Sequence, residues 1–561
     1  MVAAAAAAEA GGAHEGDPVV TRLVAEDKVS WYRKKNLRNL YLLLFPTCMG
    51  IEITSGFDSQ LINALQGIEP WKQYFGTCAI EVVDGEGEAT SSCTFTASIA
   101  GIIAASYALG AICALPFVPT FNQWFGRRWS IFFGSAVSIV GAIIQGLAKN
   151  IGMYIVARMV LGFGIPFCII SGSAMLGELG YPKERPFLTA LFNASYFIGS
   201  VTAAAITMGT NHIMDDWAWR IPSYLQMVPS AVQLCLVFLL PESPRYLIST
   251  ERREEALDIL CKYHAEGDRN SLIVRAEMAQ IETTIRLEMD ASKQTYLDLF
   301  RTAGMRRRTL IGMMLGFFTQ WSGNTLISYY LMPIMGLLGI EDSNRKQQIN
   351  LGNQCWGLVN ATTIALIVTR FPRRRMFLIC TIGMTCCYVG WTVTMGIYQE
   401  GGSRNDAAGI MALFFIFLYS PWYNIGYNSL TYTYLVELFP YAERTRGIAL
   451  FQFFGRGANF FSTFVNPIAL DAIAWKYLIV FSCWVAFEVA FIYFFFPETH
   501  NRTLEELAFL FEGQEIQDQQ AIATEKQMLR QLDNETEIHD IAHEEYRHVE
   551  STHASAPTEL K

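Results

Sequence analysis

The chain has 561 residues, of which 52% are hydrophobic and only 17% charged, and its formal net charge is -9. Soluble domains carry roughly 25% charged residues, so this balance argues against a water-soluble enzyme and points to lipid as the solvent. The acidic sum gives no footing for a nucleic-acid partner.

Residues 1–38 open on an alanine run without the basic flank and longer apolar core of a secretory signal, and are expected as a cytoplasmic tail. Crossing the hydrocarbon takes about 20 apolar residues. Such runs fall near 39–66, 97–120, 129–147, 153–176, 187–208 and 222–240, then near 309–337, 350–370, 376–398, 408–436, 446–468 and 474–496. They are continuous, unlike the roughly ten-residue alternating strands of a membrane barrel. The expected fold class is therefore an all-α membrane protein of about twelve transmembrane helices. Its parts are a six-helix half over 39–241, a helical linker over 242–308, a second half over 309–496 and a tail over 497–561.

Orientation follows from the basic residues, which concentrate in cytoplasmic loops. Arg127 and Arg128, Lys183 and Arg185, Arg370 with Arg373 to Arg375, and Arg444 with Arg446 occupy alternate short loops, on the same side as Arg33 to Arg38. Both termini are thereby expected in the cytoplasm. Cys78 and Cys93 are the cysteines of the one long outer loop, and an oxidising exterior would join them. In the tail, His543, Glu544 and His548 are spaced HExxxH, which misses the i, i+4 face of a zinc site. No metal and no cofactor are expected.

Three short motifs recur. Glu178 to Arg185 returns as Glu437 to Arg444, Phe125-Gly126-Arg127-Arg128 as Phe371-Pro372-Arg373-Arg374, and Pro241-Glu242-Ser243 as Pro497-Glu498-Thr499, at nearly equal separations. They imply two homologous halves, the architecture in which a central site is exposed to either side by rocking.

These motifs resemble the sugar porter family of the major facilitator superfamily over about residues 40–510. Gly126-Arg127-Arg128, Arg158, Glu178 to Arg185, Pro241-Glu242-Ser243-Pro244-Arg245, Pro497-Glu498-Thr499 and Thr503-Leu504-Glu505-Glu506 carry the likeness. Gln320 to Asn324 with Tyr329 and Tyr330 is similar to the seventh helix of fungal lactose and hexose permeases. The chain departs from the family at Gln123 and Thr369, where an Asp is usual, and at Pro372, His500 and Asn501. The resemblance implies a plasma-membrane carrier that couples sugar to protons. It makes Asp58 the proton acceptor and Arg158 its partner. Glu52, six residues earlier on the same helix, points to a different face and is either a second titrating group or one near the headgroups. The resemblance also makes Arg127, Arg128, Glu178, Arg185, Glu242, Arg245, Arg373, Arg374, Glu437, Arg444 and Glu498 a cytoplasmic gating network.

The residues themselves suggest where a sugar would sit. Gln320, Asn324 and Ser328 recur at i, i+4, i+8, and Asn353, Trp356 and Asn360 at i, i+3, i+7, which are same-face spacings. Asn424, Asn428, Asn459, Asn193 and Tyr196 add further polar groups, and Trp356, Trp422 or Tyr329 could cover a ring face. Amides both donate and accept, as hydroxyls require, although membrane amides also glue helices together. The expected function is alternating-access transport of a hexose or a lactose-like or cellobiose-like disaccharide, with sugar, protons and lipid as partners and a monomer as the working unit. No covalent reaction and no ATP-binding loop is implied. A transporter-like sensor that signals through its tail is an alternative, as is a carrier of another polyol or a quinate-like acid. An acid would require a cation in the cavity, and the polar stripes of the second half supply none unless it is Arg456, for which, as for Glu488, an interfacial or interhelical pairing is the expected role.

Overall fold

Nine stretches among the described residues are long and apolar enough to cross a bilayer. The computed structural model describes residues 27, 29–81, 90–291, 296–367, 371–400, 406–439 and 441–499. They belong to one compact unit, Met1–Leu504, whereas the second unit, Glu505–Lys561, lies outside the described residues. So do most of the tail 1–38, the Thr503 to Glu506 motif and the histidines of the tail.

The elements in chain order are α1 (Lys35–Leu65), α2 (Glu69–Phe75), β1 (Thr77–Glu81), β2 (Thr90–Thr94), α3 (Ala97–Ala114), α4 (Phe117–Gly146), α5 (Ile151–Leu179), α6 (Arg185–Thr210) and α7 (Trp217–Leu239). Three helices then occupy the stretch expected as the linker: α8 (Pro244–Ser249), α9 (Arg253–His264) and α10 (Leu272–Ala291). The second part holds α11 (Ala303–Trp321), α12 (Asn324–Leu337), α13 (Ser343–Ile367), α14 (Arg373–Glu400), α15 (Asp406–Tyr423), α16 (Thr431–Leu438), α17 (Tyr441–Ile473) and α18 (Tyr477–Phe495).

The difference between nine stretches and about twelve predicted runs has identifiable causes. The run predicted over 309–337 is broken at Ser322 and Gly323 into α11 and α12, and α13 carries Asn350, Asn353, Gln354 and Asn360 among its buried residues. Arg446–Phe495 counts as one stretch of 50 residues, far more than the roughly 20 of one crossing. A 3₁₀ turn at Ala474–Lys476 divides it into α17 and α18.

Packing repeats along the chain. α4 packs on α5 and α1 on α6, as α14 packs on α15 and α11 on α17. The two parts meet where α3 lies along α17 and α6 along α13. At one end α1 is tied to the second part by polar contacts. Asn63 Nδ2 donates to Asn350 Oδ1 at 3.1 Å, the Met332 N–H donates to Asn63 Oδ1 at 3.3 Å, Gln347 Nε2 donates to the Ala64 carbonyl at 2.9 Å, and Ser343 Oγ donates to the Gly67 carbonyl at 2.7 Å. Beyond that end, β1 and β2 form an antiparallel ladder that places Cys78 opposite Cys93, and Cys78 is disulfide-bonded.

The helices α8 to α10 dock on the opposite end of the first part. Glu266 accepts from the Asn36 N–H at 3.0 Å and the Leu37 N–H at 3.2 Å, which satisfies free donors at the start of α1. Glu277 binds Arg185 at 3.1 Å and the His264 ring at 2.6 Å, and His264 also contacts the Leu179 carbonyl. Burial pushes the Glu277 carboxyl up, but the neighbouring His264 and Arg185 outweigh it and hold the group below its ordinary value.

Candidate functional site

The repeated motifs build the same construction twice. In the first copy Arg127 pairs with Glu178 at 2.9 Å, both side chains almost fully buried, and Ser243 Oγ also donates to Glu178. In the second, Arg373 pairs with Glu437 at 3.3 Å and Thr499 Oγ1 donates to Glu437 at 2.5 Å. Arg128 donates to the Phe238 carbonyl and Arg374 to the Tyr493 carbonyl, while Arg185 reaches back to the Gly180 carbonyl and Arg444 to that of Phe439. Each Arg–Glu pair lies within one part of the chain. Such pairs bind a loop to the helix beneath it, and their geometry is bidentate in the first copy, with Nε also donating to Glu178 at 3.1 Å.

Gly126 explains why the first copy needs glycine. Its φ is +84°, and this turn aims the Arg127 and Arg128 N–H groups at the Glu242 carboxylate, at 3.2 and 3.4 Å. A Cβ there would lie 2.8 Å from Glu242 Oε2. Burial holds the Glu242 carboxyl above its ordinary value despite these donors. A crevice of about 40 Å³ between Glu178, Arg185, Arg245 and Glu277 is too small for a sugar.

A larger cavity of about 290 Å³ lies between the two parts of the chain, at the lower end of small-molecule pockets, which run from roughly 300 to 1,000 Å³. Of the residues expected to line a sugar site, Gln320, Asn324, Tyr329, Asn193, Tyr196, Asn424, Asn428 and Asn459 face it. The amides are chained. Asn459 Nδ2 donates to Gln320 Oε1 at 2.9 Å, Ser328 Oγ to Asn324 Oδ1 at 3.3 Å, and Asn428 Nδ2 to Asn424 Oδ1 at 2.8 Å. The break at Gly323, with φ +100°, sits between Gln320 and Asn324 and turns both toward the cavity, and a Cβ there would overlap the Tyr388 hydroxyl.

The other four expected ligands are not among the lining residues. Asn360 lies one layer behind, where it accepts from Asn424 and donates to Ser420 Oγ at 3.1 Å. Asn353 is buried, Trp356 is 41% exposed with its indole N–H on the Phe417 carbonyl, and Trp422 packs on Gly383. The i, i+3, i+7 spacing identifies one face of α13 but not what that face meets.

Asp58 and Arg158 are brought together at 2.9 Å and both are buried. Arg158 Nε donates to the Ile103 carbonyl, its guanidinium lies 5.3 Å from the Tyr107 ring centroid, and Asp58 Oδ2 and Arg158 Nη2 are buried without a hydrogen-bond partner. The pair adjoins the cavity through the next residue, Ser59, which accepts from the Tyr329 hydroxyl at 3.3 Å. Glu488 is fully buried and accepts from the Tyr427 hydroxyl at 2.8 Å.

Sequence reasoning left out several lining residues: Ser55, Ser59, Tyr107, Tyr423, Tyr427 and Gln452, with Glu52 and Arg456 weighed but not assigned to the site. The signal existed. Glu52, Ser55 and Ser59 stand at i, i+3, i+7 on α1, and Gln452, Arg456 and Asn459 at i, i+4, i+7 on α17.

Comparison with known proteins agrees with this geometry. A high-affinity glucose transporter of Kluyveromyces lactis is 28% identical over 498 residues, covering 85% of this chain and 86% of its own length. A high-affinity gluconate transporter of Schizosaccharomyces pombe is 26% identical, covering 81% of this chain and 80% of its own. The xylose transporter XylE of E. coli, a proton:xylose symporter, shares the fold in a partially occluded inward-open conformation, with a TM-score of 0.66 at 18% identity over 83% of this chain and 99% of that one. The family described as sugar (and other) transporter matches residues 43–511, and this multi-pass membrane protein belongs to it.

Proposed function

We propose that the protein carries a monosaccharide-sized polyol across the plasma membrane by alternating access, coupled to protons. The observation that carries this reading is the amide- and tyrosine-lined cavity of about 290 Å³ between two repeats of one motif set. Its volume favours a single sugar ring over a lactose-like or cellobiose-like disaccharide. A hexose, a pentose and an aldonate are named for the relatives, and each is of that size.

In this reading twelve spans form two six-helix halves, 39–241 and 309–496, joined by the cytoplasmic linker 242–308, with both termini in the cytoplasm. The bonds from Asn63 and Ala64 to Asn350 and Gln347 close the outer end. The Arg127–Glu178 and Arg373–Glu437 pairs brace the cytoplasmic ends of the two halves as they rock. Asp58 is the proton acceptor: ionised, it holds Arg158, and protonation releases α1 from α5 and shifts the conformational equilibrium that sugar also biases. Cys78 bonds to Cys93 in the outer loop.

Uptake of labelled hexoses and pentoses by transport-deficient cells tests the reading. Asn324→Ala and Gln320→Ala should each raise the KM about tenfold or more at normal surface expression, and unchanged transport in both would move the site elsewhere. Asp58→Asn should retain sugar exchange and lose uphill accumulation. Binding without any accumulation in the unsubstituted protein would make it a sensor.

A further inference from the structure

Among the residues that line the cavity, Arg456 of α17 is the one cation and Glu52 of α1 the one carboxylate. Neither forms a hydrogen bond or an ion pair among the described residues. The buried pair beside the cavity is otherwise engaged, since Arg158 holds Asp58 at 2.9 Å. A guanidinium stays protonated and is costly within a membrane span without an opposite charge; Glu52 supplies that charge across the cavity but does not contact the Arg456 donors. Arg456 therefore asks for an anion, and Gln452 and Asn459 flank it on the same face of α17.

Resting on the reading that this cavity is the transport site, we infer that its preferred solute is a polyhydroxylated carboxylate, a sugar acid. Its carboxylate pairs with the Arg456 fork and its hydroxyls with the amides of Gln320, Asn324 and Asn459. Glu52 balances Arg456 across the empty cavity and takes up a proton as the anion replaces it. The empty site, with ionised Glu52 and Arg456, and the loaded site, with neutral Glu52, Arg456 and the anion, then have the same net charge. The titratable groups facing these two are Tyr196 of α6 and Tyr432 of α16 on the Glu52 side, and Tyr107 of α3, Tyr329 of α12 and Tyr432 on the Arg456 side. All are neutral phenols and Arg456 stays protonated, which leaves Glu52 as the lining group able to exchange a proton.

D-glucuronate and D-glucose share a ring and differ in one carboxylate, which makes them the probes. With the full chain in proteoliposomes, D-glucuronate should compete about tenfold or more better than D-glucose at about pH 5.5 and lose that advantage as the pH rises. Glu52→Gln should remove the pH dependence of the preference. Arg456→Gln should lower the glucuronate-to-glucose ratio about tenfold or more, and Arg456→Lys, which keeps charge but not the bidentate fork, should restore part of it. Glucose transport without competition by glucuronate, or equal losses for both solutes in Arg456→Gln, overturns the inference while leaving the carrier reading intact. Absence of binding by either solute overturns both. The competition and its pH profile are read on the unsubstituted protein, so they stand even if a variant fails to fold.

Discussion

At Gly126 one missing Cβ decides whether a loop can be held. The residue sits at φ +84°, and its turn presents two N–H donors to Glu242. At φ +84° and ψ -178° the backbone occupies a region open essentially to glycine alone, so alanine there would meet a cost of roughly 1–3 kcal/mol and a contact 2.8 Å from Glu242 Oε2. Gly126→Ala should lower the unfolding temperature of the purified protein by several degrees, read by tryptophan fluorescence on heating. Glu277 gives a test with a definite sign. Its folded carboxyl titrates below the ordinary 4.5, so its contacts with His264 and Arg185 stabilise the fold above that value and are lost as pH falls through the lower folded one. Glu277→Gln should therefore be less heat-stable than the parent at pH 7, with the gap closing as the pH falls below the ordinary 4.5 and through the lower folded value. The chemistry of these residues was readable in advance, because GRR and the Glu178 motif name their own partners; that Glu277 of the linker meets Arg185 was not, since nothing in their spacing connects them.

Among the elements, the broken helix over α11 and α12 shapes the site most. Gly323, at φ +100°, lets the chain restart so that Gln320 from one piece and Asn324 from the next both reach the cavity. Gly323→Ala would drive a Cβ into the Tyr388 hydroxyl and should abolish high-affinity uptake even where the protein reaches the membrane, measured as uptake normalised to surface expression. On α1, a single helix serves two tasks through its periodicity. Glu52, Ser55 and Ser59 face the cavity, whereas Asp58, on another side, reaches Arg158. On α13 the amide stripe does not line the cavity, and Asn360 stands behind it, accepting from the lining residue Asn424. Period tells which residues share a face; only the neighbours tell what the face is for.

For the whole molecule, the polar ties between α1 and the second part are gathered at the Asn63 to Gly67 end. Their loss should favour the arrangement open on that side. Asn63→Ala should increase the rate at which an impermeant thiol reagent labels Ser328→Cys from outside, relative to Ser328→Cys alone, and an unchanged rate would mean these bonds do not set the closure. Composition and apolar length by themselves determined that the chain is a helical membrane protein, because lipid leaves a backbone few ways to satisfy its hydrogen bonds. The recurrence of three motifs determined that one Arg–Glu construction appears twice, since local spacing survives in any fold that uses it. Which polar residues line a common cavity, and that Glu52 and Arg456 share it without touching, only the tertiary structure decided. A sequence fixes the angle of each side chain about its own helix, while the rotation of one helix against the next is settled by packing between residues hundreds of positions apart.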